Sequence, residues 1–191
     1  MAIKWAIKSG NWSDPATWNE NQLPQVDDAV YADGYTVTID QDIAVASLHT
    51  TQRQGGTAGG GFTITNSRTL TLSGSGIVAG ATVCLTLAAG NYNAVITGNV
   101  TAGSGSTACG IQNNSTGIVA VTGNVTGGSG FCAHGIQNNS TGAIAVTGNV
   151  TGGSGSGSNA YGIQNNSTGA IAVTGNVTGG SGGYGIVNAS T

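Results

Sequence analysis

The stretch GIQNNSTGAIAVTGNVTGGSG, residues 135–155, recurs with small changes from about residue 94 to the end of the chain. Its Gly-Ile pair opens at Gly110, Gly135, Gly162 and Gly185, at separations of 25, 27 and 23 residues. A second mark, Thr-Gly-Asn-Val, starts at Thr97, Thr122, Thr147 and Thr174. Self-similarity at a period of this size belongs to solenoids, in which one unit cannot bury its apolar face alone and must stack on copies of itself.

Within each copy the pattern selects strands. Aligning Gly117-Ile-Val-Ala-Val-Thr with Gly142-Ala-Ile-Ala-Val-Thr and Gly169-Ala-Ile-Ala-Val-Thr places Val119 and Val121, Ile144 and Val146, and Ile171 and Val173 at alternate positions. Period-two alternation buries one face of a strand. Val125, Val150 and Val177 follow a Gly-Asn corner, and Ile111, Ile136 and Ile163 add an inward residue from a further short strand. Three short strands and roughly four core side chains per copy predict an all-β fold, a parallel β-helix whose coils pair at about 4.8 Å. Helical repeat families are excluded, because glycine at this density opposes helix formation.

The corners agree with this fold. Asn99, Asn124, Asn149 and Asn176 fall at one corner of successive coils. Stacked side-chain amides would form a ladder there, and asparagine tolerates an αL backbone. Length differences are confined to the segment between GGSG and the next Gly-Ile, as expected of a loop leaving one edge of the coil.

Charge is distributed very unevenly. The acidic residues run from Asp14 to Asp42, the last charged side chain is Arg68, and residues 69–191 hold no Asp, Glu, Lys or Arg. A glycosidase of the usual kind needs two carboxylates beside the scissile bond, which the repeats lack. Calcium-binding β-rolls need an Asp in each nonapeptide. Four basic residues against seven acidic ones do not drive counterion release from nucleic acid. No stretch has the apolar length of a membrane span, and the opening MAIKWAIKSGNW has too short an apolar run for a secretory signal. The expectation is a protein that is not an enzyme, carries no cofactor or metal, has no nucleic-acid or membrane partner, and acts where it is made.

Residues 1–40 are of another kind. They hold Trp5, Trp12 and Trp18 and most of the charge, as expected of a cap over a first coil that would otherwise expose its core and strand edges. Trp12-Ser-Asp-Pro15 is a turn in which Asp14 accepts backbone hydrogen bonds and Pro15 fixes φ; Asp33-Gly34 then turns the chain into an alternating strand, Tyr35 to Ile39.

GNWSDPATWN (10–19) followed by LPQVDDAVYADGYTVTID (23–40) resembles the N-terminal module of a group of bacteriophage virion proteins and of some bacterial surface proteins. That module runs GxWxDxxTW, then a proline, a DDxV strand and a G-x-TVTID strand leading into a β-helix. The resemblance implies a β-helical structural protein on a particle or cell surface, often an oligomer. It places Trp5, Trp12 and Trp18 in an attachment module and makes capsid or tail proteins of the virion the partners. It brings no catalytic residues.

Three segments result: residues 1–40 as the cap or attachment module, 41–93 as irregular first coils, and 94–191 as the regular solenoid. In the middle segment Ile43, Val45, Phe62, Ile64, Leu70 and Leu72 sit in short alternating runs, and GGTAGGG (55–61) reads as a mobile loop.

Candidates for chemistry are few. Asp27, Asp28 and Asp33 are better read as turn carboxylates than as cation ligands. His49 and His134 have no third partner for a catalytic triad. His134 fills the slot before Gly-Ile that holds Cys109, Tyr161 and Tyr184 in other coils, which reads as a packing or surface position. Cys109 and Cys132 lie on neighbouring coils, where a disulfide is conceivable, but free thiols at Cys84, Cys109 and Cys132 are expected without secretion. The Asn-Asn-Ser-Thr copies contain glycosylation sequons and are read as turn residues and asparagine stacks.

The outward positions of the middle strand carry Ala120, Ala145 and Ala172, with Ala143 and Ala170 also small. Isolated soluble proteins usually show charge on such a face. This stripe is expected to pack on further copies around a threefold axis, giving a homotrimer, or on a shell surface. Three functions follow. The first is a structural protein of the virion surface, made in the host cytoplasm, that decorates and stabilises a capsid or forms a short fibre. The second is a tail fibre or adhesin that recognises a host-surface glycan through Tyr161, Tyr184 and the loop 152–160. The third, a polysaccharide-degrading spike or an ice-binding solenoid, is disfavoured by the missing carboxylates and by the lack of a Thr-x-Thr ladder. The chain stops at Gly185-Ile-Val-Asn-Ala-Ser-Thr191, which begins a coil without its Ala-Ile-Ala-Val strand; a truncated last coil and a longer fibre both fit.

Overall fold

The computed structural model describes residues 2–155, 159–181 and 183–189. The chain winds into a parallel β-solenoid of about seven turns with coils of about 25 residues. Among the described residues its strands form two sheets, of 12 and 8 strands. Register in space repeats the alignment in sequence: Ile111 lies on Ile136, Ile163 and Ile186, Val119 on Ile144 and Ile171, and Val125 on Val150 and Val177. These inward residues are sealed from solvent through the middle of the rod, with Ile111, Val119, Val125, Ile136, Ile144 and Val150 all at most 1% exposed. Stacking identical residues in register lets each coil bury its apolar face on the next, which is why the repeat folds only as an array.

The 12-stranded sheet contains two strands per coil, joined at a corner. In the early part they are one continuous strand, Arg68–Val78, which pairs with both Ala94–Thr97 and Val100–Thr101. Later coils break at Gly98, Gly123, Gly148 and Gly175, whose φ values are 143°, 153°, 150° and 149°. A Cβ at Gly148 would stand 2.2 Å from the Gly123 carbonyl oxygen, so close coil approach and positive φ both require glycine. This corrects the expectation at the corner, because the unusual backbone belongs to the glycine and not to the asparagine after it. The ladder also differs in its bonds. The backbone N–H of Asn124 donates to Asn99 Oδ1 at 2.9 Å, that of Asn149 to Asn124 Oδ1 at 2.9 Å, and that of Asn176 to Asn149 Oδ1 at 3.0 Å. Each asparagine thus serves the N–H left open where the strand turns.

A second asparagine ladder runs through the interior. Asn113, Asn138 and Asn165 are buried, and Asn113 Nδ2 donates to Asn138 Oδ1 at 2.8 Å, Asn138 Nδ2 to Asn165 Oδ1 at 2.8 Å, and Asn165 Nδ2 to Asn188 Oδ1 at 3.0 Å. The segment read as a turn is therefore strand at its start, Ile111–Ser115 in one coil. An amide is tolerated inside because the coils above and below supply its donor and acceptor.

The N-terminal segment extends both sheets. Ile3–Trp5 pairs with Ala29–Tyr31, and Gly10–Asn11 with Thr36–Thr38. Trp12 and Trp18 are buried with ring centroids 4.8 Å apart, edge to face, and Trp18 Nε1 donates to the Trp12 carbonyl at 2.9 Å. Trp12 in turn lies 6.2 Å from Phe62 of the first coils. Asp14 caps the short 3-10 turn Pro15–Thr17 by accepting from the Ala16 N–H at 2.9 Å. The glycine-rich insert is tied in at its far end, since Gly59 donates to the Thr50 carbonyl, Gly61 to the Tyr35 carbonyl, and Gly61 opens the strand Gly61–Ile64. At the opposite end of the solenoid the core opens: Val177 is 49% exposed where its counterpart Val150 is fully covered.

Candidate interaction surfaces

The alanine stripe forms an in-register column on the outer face of the 12-stranded sheet. Ala120 pairs with Ala145 and Ala145 with Ala172, and Val95 continues the column one coil earlier. Ala120, Ala143 and Ala145 are half-buried, and Ala170 and Ala172 exposed. Two larger residues begin the stripe, Val95 at 48% and Ile118 at 49% exposure. Ile118 stands in the alignment opposite Ala143 and Ala170, and extending that alignment one coil towards the N-terminus would have found Val95. Thr97, Thr122, Thr147 and Thr174 make a parallel column beside the alanines in the same strands. The face thus combines methyl groups and hydroxyls without charge.

In the N-terminal segment Trp12 and Trp18 are buried in the core, packed on each other and, through Trp12, on Phe62. Trp5 is half-buried beneath the Arg53 guanidinium, 4.1 Å from the ring centre, and Arg53 in turn pairs with Asp33 at 2.8 Å. Among the described residues, the large hydrophobic side chains this segment offers outward are Ile3, Ile7, Val26 and Tyr35, which are 51%, 46%, 60% and 39% exposed.

The slot before each Gly-Ile forms a column. His134 is buried and stacks on Tyr161 with centroids 5.2 Å apart, and Tyr161 lies 6.1 Å from Tyr184. His134 Nδ1 accepts from the Tyr161 N–H at 3.1 Å, while Nε2 is buried with no partner among the described residues. Burial holds the imidazole pKa down to about 4, so the ring is neutral near pH 7. Exposure grows along the column: Tyr161 is half-buried, its hydroxyl donating to Asn159 Oδ1 at 2.8 Å, and Tyr184 is 69% exposed. Of the loop 152–160, residues 156–158 lie outside the described residues.

The acidic residues do not converge. Asp28 accepts from the N–H groups of Ala2 and Gln25, Asp33 binds Arg53 and the Thr57 N–H, and Asp27 is exposed. Among the described residues, no group of three His, Cys, Asp or Glu is arranged to hold a metal ion. The three cysteines are free, and Cys109 Sγ lies 3.8 Å from the Cys132 carbonyl oxygen. Burial pushes the Cys84 thiol pKa up to about 12 and that of Cys109 to about 11, so neither is a nucleophile near pH 7. His49, stacked on Tyr31, is likewise held to about 4 by burial.

No protein-family model, no curated protein and no solved structure matches the chain.

Proposed function

We propose that this protein is a non-catalytic structural rod of a bacteriophage virion surface, which stabilises the capsid or forms a short fibre. The observation that carries this reading is the in-register, charge-free column Val95, Ala120, Ala145 and Ala172, set on a rod whose ionisable carboxylates and cations all lie within residues 4–68. A stiff array with one charged, tryptophan-closed end and one neutral flank has the features of a part to be mounted and packed. The resemblance of residues 10–40 to virion modules supports the setting. In this reading copies associate through the alanine flank as a homotrimer or lie with it on the shell, and Ile3, Ile7 and Val26 supply the mounting contacts.

Ala145→Glu tests the assembly. The substitution places a carboxylate in the middle of the column, and light scattering is expected to show the complex fall to the mass of a single chain. An unchanged oligomer would remove the flank from the interface. Immunogold microscopy of particles with an antibody to the repeats tests the location: label over the head supports capsid decoration, label on projecting fibres supports attachment, and unlabelled particles overturn the virion reading. A second reading, recognition of a host-surface glycan, is favoured by Tyr161 and Tyr184, which step outward along one edge in successive coils.

A further inference from the structure

The outer face of the 8-stranded sheet carries a groove of about 360 Å3 that spans four successive coils. Its floor is Gly60 and Gly61, and its walls include Thr36, Thr63, Thr82, Thr86 and Gln112. The groove follows from the packing. Gly61 pairs with Thr36 at an outward position beside inward Phe62, so the strand presents no side chain there. Gly60, with φ of 76°, lies against the Tyr35 backbone so closely that a Cβ would overlap it. The floor is therefore bare main chain, and Thr63, Thr86 and Gln112 follow one another in register along it.

The polar groups have a defined direction. Gln112 Nε2 donates to Gln137 Oε1 at 3.1 Å, and Gln137 Nε2 donates to Gln164 Oε1 at 3.1 Å. This chain of amides leads away from the groove and leaves Gln112 Oε1 at the groove as its terminal acceptor, polarised by the bonds behind it. Thr82 donates its hydroxyl to the Gly60 carbonyl at 2.7 Å and so presents lone pairs. The hydroxyls of Thr63 and Thr86 have no protein partner among the described residues and are free to donate.

The lining also excludes most ligand classes. It contains no charged side chain, so neither a phosphate nor a metal ion finds a charged partner. Phe62 beneath the floor is fully covered, so a peptide or lipid has no aromatic anchor. What hydroxyls, an amide oxygen, bare backbone and the half-buried side chain of Val83 recognise together is a neutral ligand dense in hydroxyls that also presents C–H faces. The volume lies at the small end of ligand sites, which run from about 300 to 1,000 Å3, and accommodates one or two sugar rings. Coils repeat at about 4.8 Å, close to the advance of one pyranose along an extended glycan, so successive rings meet equivalent positions on successive coils.

We propose that this groove binds a neutral oligosaccharide running along the solenoid axis, with Gln112 Oε1 accepting from a sugar hydroxyl and Thr63 and Thr86 donating to sugar oxygens. It uses no residue of the alanine flank or the tyrosine column, so its failure would leave the structural role intact. The test titrates the full chain with linear hexasaccharides of α-glucose, β-glucose and α-mannose, and with hexagalacturonate as an acidic control, read by saturation-transfer NMR and calorimetry. At least one neutral hexasaccharide is expected to bind and the acidic one not to. Gln112→Leu should weaken binding about tenfold, the equivalent of one lost hydrogen bond to a half-buried acceptor. Thr86→Trp should fill the groove and abolish binding, while Tyr184→Ala leaves it unchanged. Circular dichroism on both groove variants checks the fold, and Gln112→Leu carries the test if Thr86→Trp does not fold. No neutral binding, preference for the acidic chain, or binding lost in Tyr184→Ala but kept in Gln112→Leu would each overturn the proposal.

Discussion

At the scale of single residues, the interior is held in register by amides as much as by aliphatic side chains. Asn138 accepts from Asn113 and donates to Asn165 and to the Gly142 carbonyl, so removing it takes away three buried bonds, although Asn113 Nδ2 keeps the Ser115 carbonyl and Asn165 Oδ1 keeps the Ser167 hydroxyl. Asn138→Ala is expected to cost about 2–4 kcal/mol, measured by denaturant unfolding, because three buried hydrogen bonds are lost at once. His134 gives the solenoid a pH dependence. Its Nδ1 is occupied by the Tyr161 N–H, and its folded pKa of about 4 lies below the ordinary 6.5. Between those values the unfolded chain binds more protons than the folded one, so stability is full above about pH 6.5 and is lost as pH falls towards about 4. His49 shifts in the same direction. Melting temperature should therefore drop across this window, and His134→Tyr, the residue the two following coils carry, should leave only the His49 share. An unaltered pH profile in that variant would refute the assignment.

At the scale of elements, the coil was legible in the sequence and its polar lining was not. Alternation in Ile144-Ala-Val146 and recurrence of Gly-Ile fixed strand, face and register, because an apolar residue every second position has one place to go. Asn113 and Asn114 look alike in sequence, yet one is interior and the other is not, a distinction set by strand phase: Ile111 points inward, so Asn113 must too. The groove escaped for a related reason, since Gly60 and Gly61 read as loop when the residues they pack on come from another coil. The tryptophan-rich segment 1–40 contributes strands to both sheets. Trp18 closes the first coil with its ring fully buried and its indole N–H bonded, so Trp18→Ala should cost about 3–5 kcal/mol. Limited proteolysis should then cut first within residues 1–40; unchanged resistance there would mean the cap does not protect the core.

At the scale of the molecule, identical register between coils makes the rod modular. Gly135 and Gly162 occupy equivalent points one coil apart, so deleting residues 136–162 should leave a cooperative solenoid shorter by about 4.8 Å, detectable by small-angle scattering. Deleting half as many residues should lower stability and cooperativity, since the strands beyond the cut would no longer meet their counterparts on the coil before it. The hydrogen bonds that join coils, such as Val119 N–H to the Ala143 carbonyl and Ile144 N–H to the Ala170 carbonyl, cross from coil to coil along the rod axis. Tension applied along that axis would meet them one turn at a time and peel the rod coil by coil, whereas compression drives each turn onto the one beneath. The molecule is built as a strut and not as a tether.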